Sequence, residues 1–267
     1  MLDGQPLWAR SVGVAVAGPN QVIRTSDGYV EVLLTPGAFL RIGHNSEVRF
    51  VSAGLTRVDI QVDRGSAMIE AAELVKGSDL EVAMNGATTR IEHKGLYAFD
   101  ADQHSVRVLD GKAEVTENTG EITLKKGDAV FLASDQPLKK RDFAVKSAAS
   151  EPLYVWSKVR SQDESEANAN LANTIAARGG WYGAGWYWNP FWADYAFLPG
   201  AGFLYSPFGW GYYSPGFYGG LGYGYGYGRG YYGHGVYGRV GGVGTGVRSF
   251  SGGSFHGGGF HGGGGRR

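Results

Sequence analysis

Three histidines, His44, His93 and His104, stand beside turn residues in the first part of the chain. His44 with Asp27, or His104 with Asp100 and Asp102 in "DADQH" (100–104), supplies the donor types of a metal site. The "DADQH" loop lacks the glycine and closing Glu of a calcium loop, so these histidines are expected to be solvated turn residues. There is no cysteine, which removes disulfides, thiol catalysis and Cys-based zinc sites. "GVGTG" (242–246) has no strand before it, no glycine run precedes Lys-Ser or Lys-Thr, and no Gly-x-Ser-x-Gly elbow joins a strand to a helix. His234, His256 and His261 sit among glycines that hold no ligand geometry. The reading is therefore no enzyme, with no catalytic, cofactor-binding or metal-binding residues and no cofactor.

What remains with chemical character is aromatic. Residues 179–267 hold 32 of the 46 glycines, 13 of the 16 tyrosines and five of the seven tryptophans: Trp181, Trp186, Trp188, Trp192 and Trp210. These five are the candidate interaction residues, because a ring joins apolar area to a polar edge and suits sugar faces or wet–dry boundaries. The same segment has five Arg, no Lys and one acid, Asp194, and so carries +4 in a chain of net charge zero. "GYGYGYGRGYYGHG" (222–235) mixes rings with Arg-Gly, as single-strand binders do. Yet so small a charge is a weak electrostatic footprint, and nucleic acid is the poorer partner. Glycine this frequent, with no apolar period, predicts a disordered tail capable of self-association.

The elements that would carry these groups are strands. "VRVLDGKAEV" (106–115) alternates apolar and polar residues around Asp110-Gly111, a tight-turn signal. A two-residue hairpin there sets Val108 opposite Ala113, Val106 opposite Val115, and Arg107 opposite Glu114. "IQVDRGSAMI" (60–69) and "ITLKKGDAVF" (122–131) share the pattern apolar-x-apolar-x-x-Gly-x-Ala-x-apolar, and Val32, Leu34 and Gly37 give a looser copy with Phe39 for the Ala. Either generic hairpin chemistry or internal duplication yields this pattern. Arg64 and Lys126 suit a positive-φ position less well than Asp110, so their bends are candidates for corners. "DLEVAMNGATTRIE" (79–92) places Leu80, Val82, Met84, Ala87, Thr89 and Ile91 on one face of an Asn85-Gly86 hairpin. Gly65, Gly86, Gly111 and Gly127 are the structural turn residues.

Twelve strands are expected, over 29–34, 38–42, 47–52, 57–62, 67–71, 79–84, 87–92, 96–100, 105–109, 112–116, 121–125 and 129–133. The fold class is all-β, a sandwich, roll or irregular solenoid over residues 21–146 behind a lead-in at 1–20. A helix follows at 150–178, with Pro152 in its first turn and Leu153, Trp156 and Val159 at helical spacing. Ser161 and Glu164 match a capping box at which that helix restarts. Its first turns are expected to dock on the β domain, and its Ala/Asn-rich remainder to be solvated. No run of 18 apolar residues marks a membrane span, and "SVGVAVAG" (11–18) reads as a strand rather than a signal peptide.

"FLRIGHNSEVRFVSAGLTRVDIQVDRGSAMIE" (39–70) and "TRIEHKGLYAFDADQHSVRVLDGKAEV" (89–115) resemble the FecR family, bacterial extracytoplasmic domains often found in regulators paired with sigma factors. The likeness rests on the Asn45-Ser46 turn, the strand-Gly-strand at Gly65 and the closing "VRVLDGKAEV", over about residues 30–133. "GLYAF" (95–99) departs from the family's Gly-Thr-x-Phe by Leu96 for Thr. The sequence shows neither the helical segment that meets a sigma factor nor a membrane span. The resemblance implies an envelope setting, periplasmic or surface, if a leader precedes Met1. The leading expectation is a non-enzymatic envelope protein whose β domain binds a protein or polymer while the aromatic tail adheres. The alternatives are a signalling accessory to a transmembrane or sigma-factor regulator, and a single-strand binder.

Overall fold

The computed structural model describes residues 1–7, 15–132, 136–222 and 247–251. Its strands are β1 (Val22–Arg24), β2 (Gly28–Leu33), β3 (Ala38–Ile42), β4 (Glu47–Ala53), β5 (Arg57–Arg64), β6 (Ser66–Ala71) and β7 (Asp79–Met84). There follow β8 (Ala87–Ile91), β9 (Gly95–Asp100), β10 (Ser105–Asp110), β11 (Lys112–Glu117), β12 (Gly120–Lys125), β13 (Asp128–Phe131) and β14 (Lys140–Asp142). A 3-10 turn leads into α1 (Pro152–Arg178). The chain goes on through β15 (Gly185–Asn189), β16 (Asp194–Leu198), β17 (Phe203–Tyr205), β18 (Gly211–Tyr213), α2 (Pro215–Gly222) and β19 (Val247–Ser251). All twelve expected strands are present within three residues of their expected ends.

Two sheets face each other. The outer sheet runs β1-β4-β5-β7-β8-β11-β12 and the inner sheet β14-β13-β10-β9-β6-β3-β2-β19. Their facing residues make one core, with Leu40, Ile42, Val48, Ile60, Val82, Tyr97, Phe99, Val106 and Val115 among its members. In the outer sheet β7, and β5 as far as Asp63, alternate between buried and wetter positions, as expected where one face meets water. In the inner sheet every residue of β3 is buried, and every residue of β6 but the first. A strand closed on both faces needs a third layer, and α1 with the segment after it supplies that layer.

The repeated Gly-x-Ala motif is a corner between sheets. Gly65 separates β5 from β6, Gly111 separates β10 from β11, and Gly127 separates β12 from β13; each pair lies in different sheets. The expected hairpin at Asp110-Gly111 is therefore corrected. Val108 pairs with Tyr97 in the inner sheet, while Ala113 pairs with Leu124 and Ile91 in the outer one. Val106, Val108, Ala113 and Val115 still share one core, because alternation sets the face and not the partner. Arg107 does not meet Glu114; it binds Glu151 ahead of α1, and Glu114 binds Arg90. Asn85-Gly86 is a hairpin as expected, with Met84 opposite Ala87 and Val82 opposite Thr89. Gly37 also turns within one sheet, and Phe39 points to the third layer.

The four turn glycines have φ of +73° (Gly65), +83° (Gly86), +94° (Gly111) and +87° (Gly127), where side chains are strained. Gly111 is also crowded. A Cβ there would sit 2.6 Å from the Lys94 carbonyl oxygen and against the Tyr97 hydroxyl. That hydroxyl donates to the His93 carbonyl (2.5 Å) and accepts from the Lys112 N–H (3.1 Å), tying the two sheets together at the corner.

The chain after α1 differs from expectation. Over 185–222, β15–β16 and β17–β18 form antiparallel pairs and α2 follows, where a segment without fixed structure was expected. These elements order because α1 and the inner sheet give their rings something to pack against. After residue 222 the tail, apart from β19 paired with β2, lies outside the described residues, as do "GVGTG" and the three tail histidines. Of the strand expected at 11–18, residues 15–18 have no regular structure and the others lie outside the described residues.

Gly111→Ala should destabilise the fold by roughly 3 kcal/mol in urea unfolding, since it adds steric overlap to a strained φ. Gly86→Ala, with open space around the new Cβ, should cost about 1 kcal/mol.

Candidate functional site

The outer face of the inner sheet carries a charged seam. On β2 and β3, Glu31 and Arg41 are register partners, and Glu70 stands next door on β6. Arg41 donates from Nε to Glu31 Oε2 (2.8 Å) and from Nη1 to Glu70 Oε2 (2.6 Å), and all three side chains are fully buried. From α1, Arg160 donates to Glu31 Oε1 through Nε (3.2 Å) and Nη2 (3.0 Å). Nη2 also reaches Glu164 Oε1 (3.1 Å), and Nη1 reaches Asp163. Ser161 Oγ donates to Glu70 Oε1 (2.7 Å). Charges this deep persist only when paired, and the sheet and the helix each hold part of the set.

Ionisation follows from that arrangement. Burial disfavours the charged form of Arg41, but Glu70 and Glu31 outweigh it and raise its pKa. Burial opposes ionisation of Glu31 too, yet Arg160 and Arg41 hold it below the usual carboxylate range. Glu164 goes the other way: burial, then the charge on Glu31, pushes it well above that range. Burial also raises Asp163, against the pull of Arg160.

The seam continues as a polar stripe along α1. Ser165 Oγ donates to the Gly211 carbonyl (2.7 Å), and Asn168 Nδ2 donates to the Phe197 carbonyl (2.7 Å) while its Oδ1 accepts from the Tyr213 N–H (2.8 Å). The first turns dock as expected, Leu153 against the Met68 and Leu96 cluster and Trp156 stacked on Tyr29 (5.1 Å), but the rest of the helix's expected burial pattern is corrected. Val159 is exposed, and Ser157, Arg160, Ser161, Glu164 and Asn168 are buried. Ser161 and Glu164 lie inside one continuous helix rather than at a restart. Positions 157, 161, 164, 168 and 171 do recur at helical spacing, a signal hidden by their polarity.

The five tryptophans are dispersed. Trp186 packs edge-on to Phe39 (5.4 Å) and donates its indole N–H to the Leu34 carbonyl (3.0 Å). Trp181 packs with Leu171 and Ala196 against α1, and Trp188 meets Tyr195 edge-on (5.3 Å). Trp192 lies edge-on to the exposed Phe191, and Trp210 begins the turn into β18 beside Ser206. A second group is formed by Phe203, Tyr205, Tyr213, Phe217 and Tyr218, with neighbouring ring centroids 5.2–6.3 Å apart. Phe203 is 48% and Tyr205 60% exposed.

Beneath Trp186 an apolar cleft of about 310 Å³ opens at the end of the sandwich, lined by Val32, Leu34, Phe50, Val58, Trp186 and Tyr195 among others. It suits an apolar group and offers no convergent acid and base. His44, His93 and His104 are exposed at three separate turns. The "DADQH" loop braces the fold, since Asp102 Oδ1 accepts the Gly65 N–H (3.1 Å) and Asp100 Oδ1 the Gln103 N–H (2.8 Å). Among the described residues no three His, Asp or Glu gather as for a metal ion. No helix among them is long and apolar enough to cross a membrane, which says nothing of a β-barrel. Leu96, the departure within "GLYAF", is buried with Met68, Ala98 and Leu109 under the chain leading into α1.

Fold and site together define a two-sheet β domain covered on one sheet by its own following segment. Residues 21–114 match the model of the FecR family, described as FecR protein, and the chain carries a FecR domain over that span. Two crystal structures, each described as "a putative anti-sigma factor from Parabacteroides distasonis ATCC 8503", align at 16% identity. The first alignment covers 49% of this chain and 64% of the other (TM-score 0.42), and the second 48% and 62% (TM-score 0.41). The chain thus spans a little under two thirds of each of those chains. The comparison with curated proteins gives no match.

Arg41→Met should destabilise the protein by roughly 3–5 kcal/mol in chemical denaturation, because Glu31 and Glu70 stay buried without their shared cation. Trp186→Phe, which loses the bond to Leu34 and part of the ring packing on Phe39 and Phe197, should cost roughly 1–3 kcal/mol.

Proposed function

We propose that the protein is a non-enzymatic bacterial envelope protein that acts by binding, with the FecR domain as its rigid support and the segment after α1 as its contact face. One observation carries this reading: the aromatic group at Phe203, Tyr205, Tyr213, Phe217 and Tyr218 is held on ordered elements with part of its ring area in solvent. Rings fixed by a scaffold bind without the ordering cost that a disordered tail would meet. Residues 21–146 are proposed as the folding unit, 150–178 as the helix that roofs it, and the described part of 179–267 as the adhesive face. The partner is a protein or an envelope polymer, and the setting is extracytoplasmic, as FecR domains typically are.

The ordered aromatic segment, residues 181–222, contains no Lys and no Arg. It offers no counter-charge to phosphate, which favours a neutral or apolar partner over nucleic acid. The FecR match favours a second reading, a signalling accessory that engages a regulator through the β domain.

The double variant Phe203→Ser/Tyr205→Ser should lower association of the full chain with isolated envelope fractions about tenfold in a sedimentation assay, with the urea midpoint within error of wild type. Unchanged sedimentation would remove the aromatic face as the contact. A regulator captured equally by wild type and this variant would favour the signalling reading.

A further inference from the structure

We propose that α1 and the aromatic elements it carries form a proton-controlled cover over the inner sheet, latched by Glu164 against Glu31 and opened as the pH rises.

The titratable groups facing Glu164 are Glu31 on β2, Arg41 on β3, Arg160 on α1 itself and Tyr212 on β18, with Glu70 on β6 behind Arg41 and Asp163 on α1 beside Arg160. Within this described set four carboxyls meet two guanidiniums. Glu31 and Glu164 both bind one atom, Arg160 Nη2, at 3.0 and 3.1 Å, so two carboxylates crowd one donor in a site without solvent. Two like charges cannot both be held there at low cost, and one of the pair keeps a proton. With Glu164 neutral, Glu31 and Glu70 balance Arg41 and Arg160. Asp163, the most solvent-exposed of the four, keeps its ion pair with Arg160 Nη1 at the edge of the site, where water screens its charge.

The rest of the layer is also incompletely satisfied. Arg41 Nη2, Ser157 Oγ and the hydroxyl of the fully buried Tyr212 have no hydrogen-bond partner among the described residues. Undocking returns these groups to water, which offsets part of the packing that is lost. The cover would lift as one piece, because Ser165 and Asn168 bind the backbone of Gly211, Phe197 and Tyr213.

Glu164 has a higher pKa docked than free, so the docked state binds the extra proton. Its contribution to docking is full below the ordinary Glu range and is lost as pH rises through the raised value. Asp163 acts in the same direction. Glu31, held below the usual carboxylate range by Arg160 and Arg41, stays ionised beside Glu164. Docking therefore weakens on the alkaline side, through Glu164 and Asp163.

The test is hydrogen exchange on the full chain at pH 5, 7 and 9, with protection corrected for the intrinsic rate. In wild type, amides 157–172 should lose at least about tenfold in protection from pH 5 to pH 9, while those of β9 and β10 keep theirs. Glu164→Gln, neutral at every pH, should hold α1 protection nearly level. Should that variant be undocked throughout, Glu164→Leu takes its place under the same requirement. Wild-type α1 protection that is level with pH, or a neutral variant that loses it in parallel with wild type, would overturn the proposal.

Discussion

A guanidinium with no solvent access, on the outer face of a β-sheet, needs carboxylates on both sides and a roof overhead. Arg41 has Glu31 and Glu70 for the first and α1 for the second, with Arg160 balancing the charge that the sheet triad leaves over. The third layer depends on this seam. Without α1 the strands β2, β3 and β6 would show water a row of charges set among Leu33, Phe39, Met68 and Ala72. With it, the same face becomes interior, and the aromatic segment gains a floor to pack on.

The sandwich beneath is built by a repeated local device. Gly65, Gly111 and Gly127 each take the chain from one sheet to the other, and each is followed two residues later by a buried alanine. Near a corner the two sheets approach, so a small side chain fits where a larger one would not. Tyr97 and Asp102 then tie those corners with side-chain hydrogen bonds to backbone groups. Residues with the look of a metal loop thus serve the fold, while the exposed rings stand on the added layer.

The link between the two halves is mechanical as well as energetic. α1 grips the aromatic elements through Ser and Asn side chains and grips the inner sheet through ions. A polar interface of this kind loses strength when its charge balance changes, whereas an apolar one would not respond to protons. That difference separates the two-sheet core, closed by Ile, Val, Leu and Phe, from the layer that covers it.

Strand positions, the Asn85-Gly86 hairpin, the extent of α1 and the buried face of each strand were legible in the sequence, because side-chain alternation and turn chemistry are local properties. Pairing was not. Val108 and Ala113 alternate correctly for either a hairpin or a corner, and only the distance between two sheets decides which. The ordering of residues 185–222 was likewise invisible, since glycine and aromatic residues without a period can pack only on a surface supplied by another part of the chain. Glu31, Arg41, Glu70, Arg160 and Glu164 are ordinary charges in one dimension. The tertiary structure alone brings these five, drawn from β2, β3, β6 and α1, out of water together, and that shared desolvation is what makes a site of them.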